Sequence, residues 1–257
     1  DHVRPLPVEL PVDRQDASRL TPLAEALLAL ATAEMERGAR VIFVAGPQGV
    51  GKSTAMAALT GAIPGSVALG LDDFYLTRDE RRALARDVHP LFETRGPPGT
   101  HDVALLRDTL ARLKASGAEW PVLAGAPRVI FVEGWMMGVA ADPSAPEAAP
   151  LNAVEAEDEA GAWRAYQETQ LAGPYRRLWD MADAFLYIDA PGFDTVLGWR
   201  MQQEETTLGV APGGLPPERQ AWVSRFILHY QRLTERLLAG ERRPGPSVAV
   251  DRFRQPK

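Results

Sequence analysis

"RVIFVAGPQGVGKST", Arg40 to Thr54, is the stretch from which the rest of the chain is read. Its first half is an unbroken β-branched and aromatic run, as found in parallel strands buried on both faces. Its second half matches G-x-x-x-x-G-K-[S/T] across Gly46, Pro47, Gln48, Gly49, Val50, Gly51, Lys52, Ser53 and Thr54. Glycines at these spacings let a loop wind around phosphates with its backbone N–H groups turned inward. Lys52 then reaches the β- and γ-phosphates, and the Ser53 hydroxyl can ligate Mg2+. A helix opening near Gly51 adds the positive end of its dipole. The only lysines are Lys52, Lys114 and Lys257, and a chance match of this pattern arises on the order of once in several hundred such sequences.

Working outward, similar apolar runs recur at Val67–Leu71, Val129–Val132, Ala184–Ile188 and, more weakly, Ser247–Val250. Helical patterns separate them. The first is announced by Thr21 and Pro22, a cap and first-turn proline, and closed by Gly38. This alternation predicts an α/β fold: a mainly parallel five-stranded sheet with helices on both faces. The stretch from Ala140 to Ala162 is rich in Pro, Ala and Glu and reads as a surface insertion within a single domain of residues 1–257. Trp222, Phe226, Tyr230, Leu233 and Leu237 recur at helical spacing and read as the core stripe of one amphipathic helix.

Composition bounds the function. The chain has 257 residues, 46% hydrophobic and 24% charged, enough for a large core. The net charge of −6 gives no support to nucleic-acid binding, so anionic ligands must be met by local cations. With no cysteine, disulfides and thiolate metal sites are excluded, which fits a reducing, cytoplasmic setting. No apolar run approaches the ~20 residues of a membrane span, and the N-terminal "DHVRPLPVELPVDRQD" lacks a signal-peptide core.

"VALGLDDFYLT", Val67 to Thr77, ends an apolar run in two carboxylates, Asp72 and Asp73. Alone, these are ordinary turn residues. Ligands of parallel sheets bind beyond the carboxyl ends of the strands, so beside the phosphate loop one of them can accept the proton of an attacking hydroxyl. Glu133, after the run Val129–Val132, is either a plain strand-terminal acid or a Mg2+ ligand, usually through water.

"GPQGVGKST", "LDDFYLT", "RGPPGTHD", "VIFVEGWMMG" and "WRMQQE", in this order from Arg40 to about Leu238, resemble the glycerate kinases of the plant and fungal type. These sit within the phosphoribulokinase, uridine kinase and pantothenate kinase group of P-loop kinases. The resemblance implies ATP and Mg2+ as cofactors, Asp72 as catalytic base, and Lys52 and Arg200 as catalytic cations. It further implies a lid at about residues 194–218, and substrate contacts from Asp72, Asp73, Tyr75, Arg95, Thr100 and His101. The expected partners are ATP and a small hydroxy acid, with no nucleic acid or membrane, and the protein is expected to be a monomer. Simpler readings stand beside these: Thr100 to Asp102 as caps of the following helix, and Arg200 as a solvated side chain. Another small alcohol, such as a nucleoside or pantothenate, is an alternative acceptor. A regulatory ATPase is a second alternative; a GTPase would carry N-K-x-D, which is absent.

Overall fold

The computed structural model describes residues 20–115 and 128–257. The N-terminal stretch read above for a signal peptide lies outside them.

Five strands form one parallel sheet: β1 (Val41–Ala45), β2 (Ser66–Gly70), β3 (Val129–Gly134), β4 (Ala184–Asp189) and β5 (Ser247–Ala249), in the order β2-β3-β1-β4-β5. The continuous apolar run dictates the place of β1, since every one of its residues is buried between two neighbours and two covering layers. The half-exposed β2 is at one edge. Asp183 anchors the start of β1 by accepting from the N–H groups of Arg40 and Val41, both at 2.8 Å.

Nine α-helices are described: α1 (Pro22–Glu36), α2 (Lys52–Ala62), α3 (Arg78–Asp87), α4 (Val103–Ala115), α5 (Ala162–Gln170), α6 (Arg176–Trp179), α7 (Phe193–Leu208), α8 (Pro217–Leu228) and α9 (Gln231–Leu238). The Thr21 hydroxyl caps α1 by accepting from Ala24 N–H at 3.2 Å, and Gly38 takes a positive φ just past its end. The helix α1 packs on α2 and reaches β4 and β5, while α2 covers β2 and β3. Among the described residues no helix is long and apolar enough to cross a membrane.

Three expectations change. Strand β2 stops at Gly70, one residue early, because Leu71–Phe74 turns into a 3-10 helix closed by Asp73, which accepts from Gly70 N–H at 3.1 Å. The stripe Trp222 to Leu237 is two helices, not one, broken at His229–Tyr230. Within it Trp222 is exposed and Phe226 partly so, while Tyr230, Leu233 and Leu237 are core as expected, Tyr230 also lining the cleft described below. Finally, residues 140–162 are knitted inward. Val154 is fully buried with Phe92 and Trp163, and Glu155 and Asp158 are buried by pairing with Arg232 and Arg164. Pairing explains why acids that read as surface residues are inside.

Candidate active site

The loop from Gly46 to Gly51 leaves β1 and enters α2. Gly49 and Gly51 have φ of 75° and 102°, and a Cβ on Gly49 would stand 2.8 Å from that of Trp199, so α7 packs directly on the loop. No side chain caps α2, and its first N–H groups are left for an anion. Lys52 Nζ donates to the Pro47 carbonyl at 3.1 Å. The Gln48 side-chain amide is buried with no hydrogen-bond partner among the described residues, beside the cleft its residue lines.

A cleft of about 710 Å3 runs over this loop and the carboxyl ends of β1, β2 and β3. Gln48, Gly49, Gly51, Lys52, Ser53 and Thr54 line it on the phosphate-loop side; Asp72, Tyr75, Arg95, Trp135, Phe226 and Tyr230 line it too, with Glu133, Arg200 and Arg254 also on its wall. Gly46, Pro47 and Val50 shape the loop without lining this cleft, Val50 as a core residue.

Asp72 projects from the 3-10 turn and accepts from the Tyr75 hydroxyl at 2.7 Å. His101 Nε2 faces it at 3.9 Å, and the two rings of Tyr75 and His101 stack at 4.7 Å. The Tyr175 hydroxyl accepts from Gly99 N–H at 3.1 Å and pairs with His101 Nδ1 at 2.7 Å, which fixes the ring with Nε2 turned toward Asp72. Burial pushes the Asp72 carboxyl up, but His101, Tyr75 and the Lys52 charge outweigh it and hold it below its ordinary value. Burial, and then the Asp72 charge, raise Tyr75 far above a free phenol, so it remains a donor. Burial lowers His101 and keeps it neutral near pH 7.

Ser53 Oγ donates to Glu133 Oε1 at 2.7 Å. This hydroxyl and carboxylate, both hard oxygen donors beside the phosphate loop, fit Mg2+, which takes one or two protein oxygens and fills its shell with water and phosphate. No cluster of three or more His, Cys, Asp or Glu competes as a metal site among the described residues.

Several sequence-predicted contacts fall elsewhere. Asp73, Thr100 and His101 do not line the cleft. Asp73 closes its own turn. Thr100 is buried, donating to the Pro97 carbonyl at 2.8 Å and accepting from Gly96 N–H at 2.9 Å. His101 supports Asp72 from behind. Asp102, whose Oδ1 accepts from Leu105 N–H at 2.9 Å, is the cap of α4. Arg95 does line the cleft, its guanidinium 5.5 Å above the Tyr75 ring, and its carbonyl accepts from the Tyr230 hydroxyl at 2.7 Å. Arg200, on α7, is held at 3.0 Å by buried Glu204.

Arg254 was not singled out in the sequence. It has a φ of 64°, the one positive φ at a non-glycine among the described residues, and donates to the Gly49 carbonyl at 2.6 Å and to Gln202 at 3.0 Å. It therefore ties the tail to both the phosphate loop and α7. An isolated arginine seven residues beyond the start of a short strand carries no motif, and only its neighbourhood of aromatic and basic residues marks it.

The parallel sheet, the glycine loop at the switch between β1 and α2, and the carboxylates at the strand ends define the α/β nucleotide-binding architecture of P-loop kinases. The chain is a distant homologue of D-glycerate 3-kinase and of fungal kinases of that kind. It is 28% identical over 227 residues to the uncharacterized kinase mug58 of Schizosaccharomyces pombe, covering 74% of this chain and 78% of that protein. To the chloroplastic D-glycerate 3-kinase of Arabidopsis thaliana it is 29% identical over 241 residues, 80% of this chain but 49% of that longer protein. The solved D-glycerate 3-kinase of Cryptococcus neoformans shares the fold, with a TM-score of 0.68 at 21% identity over 92% of this chain and 98% of that one. No family model matches the chain.

Proposed function

We propose that the protein is an ATP-dependent kinase that transfers the γ-phosphoryl group to a hydroxyl of D-glycerate, giving 3-phosphoglycerate, and that it acts as a monomer in the cytoplasm. One observation supports this above others: a single cleft is lined by the phosphate loop and by a carboxylate gripped by Tyr75, together with Arg95. Arg95 has no ion-pair partner among the described residues. The distant homology to D-glycerate 3-kinase supports the choice of acceptor.

In this reading Lys52 leaves the Pro47 carbonyl for the β- and γ-phosphates, and the N–H groups opening α2 take the remaining oxygens. Ser53 and Glu133 hold Mg2+, which when bound supplies positive charge against the transferring phosphate. Asp72 takes the proton of the acceptor hydroxyl as its oxygen attacks phosphorus and the bond to the leaving ADP oxygen breaks. Tyr75, never ionised, fixes the Asp72 carboxylate for that proton. Arg95 pairs with the glycerate carboxylate. Arg200 reaches the transferring group when α7 and the following segment close as a lid, exchanging Glu204 for the phosphate.

The test is a coupled ADP-release assay with ATP, Mg2+ and a panel of D-glycerate, L-glycerate, glycerol, uridine and pantothenate. Phosphorylation of D-glycerate alone is the expected result. Preference for uridine or pantothenate would replace the acceptor, and turnover indifferent to every acceptor would replace the reaction class.

A further inference from the structure

Arg95 and Arg200 stand on a boundary. On one side is the cleft; on the other, sharing these two residues and Phe226, is a second bay of about 480 Å3 walled by Arg81, Arg225, Trp222, His229 and Glu93. Pockets of ~300–1,000 Å3 bury whole drug-sized ligands. A three-carbon acid held by Arg95 leaves such a bay empty.

The charges on its wall are unevenly matched. Arg225 is neutralised by Glu157, with contacts of 2.5 and 3.0 Å, and Arg200 shares Glu204 with Arg219. Neither Arg81 nor Arg95 has an ion-pair partner among the described residues, and Arg81 Nε is buried with no hydrogen bond. Glu93 is the one carboxylate on the wall, and it is exposed. Burial, and then the like charges of Arg95 and Arg78, make the Arg81 cation less favourable than a free one. Two guanidiniums crowded together with an unused donor constitute half of an anion site. The other wall is apolar. Trp222, 44% exposed, stacks on Phe226 with centroids 5.2 Å apart and planes 13° from parallel, and the Arg219 guanidinium lies 4.1 Å over its ring.

We propose that this bay is a second anion-binding subsite on the acceptor side of the cleft, holding a carboxylate or phosphate at the far end of a hydroxy acid longer than three carbons. The terminal anion sits between Arg81 and Arg95, and the carbon chain lies along Trp222 and Phe226. Because bay and cleft share Arg95, Arg200 and Phe226, the occupant we infer is an extension of the acceptor. The orientation of its reacting end rests on the phosphotransferase reading; its binding does not.

The experiment is isothermal titration calorimetry, without nucleotide, of glycerate, erythronate, tartrate and 4-phosphoerythronate into the wild-type protein, Arg81→Gln, Arg81→Lys and Trp222→Ala. Erythronate controls for chain length, and the last two probes separate a carboxylate from a phosphate as the second anion. The dianions should bind wild type at least tenfold more tightly than erythronate. Arg81→Gln should reduce that advantage tenfold or more, the scale of a charge-assisted contact, ~1.5–3 kcal/mol, and Arg81→Lys should recover part of it. Trp222→Ala, at an exposed position, should weaken all four-carbon ligands together, and it keeps the proposal testable if Arg81 variants fold poorly. Dianions no tighter than erythronate in the wild type, or an advantage untouched by Arg81→Gln in a folded protein, would overturn the subsite. If no hydroxy acid is phosphorylated while dianion binding follows Arg81, the acceptor reading fails and the subsite stands; if glycerate is phosphorylated and dianions bind no better, the reverse holds.

Discussion

The partners of single side chains in the cleft set its sharpest expectations. Lys52 has only the Pro47 carbonyl to leave, so Lys52→Ala should retain its fold by circular dichroism while phosphoryl transfer falls by ~10²-fold or more. Asp72→Asn keeps shape but not basicity, so steady-state assays should show kcat collapsing with ATP affinity little changed. Asp73→Asn, which alters only a turn, should be far milder. Because the Asp72 carboxyl lies below its ordinary value, it stays charged, and competent as a base, into more acidic solution than a free Asp. The acid limb of the kcat/KM profile should therefore fall below the usual carboxylate range, and Tyr75→Phe, which removes a donor to the charged form, should move it toward higher pH. At this scale the sequence is legible where spacing alone fixes position, as at Lys52 and Ser53, which both line the cleft. It was not legible at Thr100 and His101, because adjacency in a motif does not say which way a side chain turns. Arg254 could not be found at all, since its partners Gly49 and Gln202 are distant in sequence.

At the scale of elements, the break between α8 and α9 ties these helices to Arg95 in the cleft. Periodicity could not reveal it, since Phe226, Tyr230 and Leu233 keep helical spacing across the break. Only the structure shows Tyr230 turning to donate to the Arg95 carbonyl and standing 4.8 Å from Trp135, edge to face. Tyr230→Phe loses one hydrogen bond, ~0.5–1.5 kcal/mol, and should loosen Arg95. The readout is KM for glycerate rising several-fold while KM for ATP holds. A stronger effect is expected at Gly96, where an added Cβ would lie 2.0 Å from the Tyr230 hydroxyl. The strands and α1 were readable because apolar runs and caps are local; the 3-10 turn after β2 was not, since its closing bond comes from Asp73, which reads equally well as a ligand.

Across the whole molecule, residues 140–162 are bound to the body through buried charge. Glu168 accepts from Asp142 N–H at 2.6 Å and pairs with Arg236 at 2.6 Å; Arg236 in turn donates to the Ala140 carbonyl. Removing one member of such a pair leaves the other uncompensated, so Glu168→Gln should cost ~3–5 kcal/mol, read as a lower midpoint in urea, with KM for ATP unchanged. Composition hid this arrangement, because Glu155 and Ala140 are separated by 77 and 96 residues from their partners Arg232 and Arg236.

The central position of β1 has a consequence for how the chain comes together in time. Its N-terminal anchors bond to Asp183 across 142 and 143 residues, and Arg40 reaches the Arg128 carbonyl across 88. The strand that carries the phosphate loop thus emerges before either of its sheet neighbours and must wait, apolar and unpaired, until both have been made. Such long-range parallel pairing is slow and exposes sticky surface in the interval. A nucleotide that recognises only the completed loop would draw the population forward by mass action, so refolding yield should rise with ATP present during dilution from denaturant.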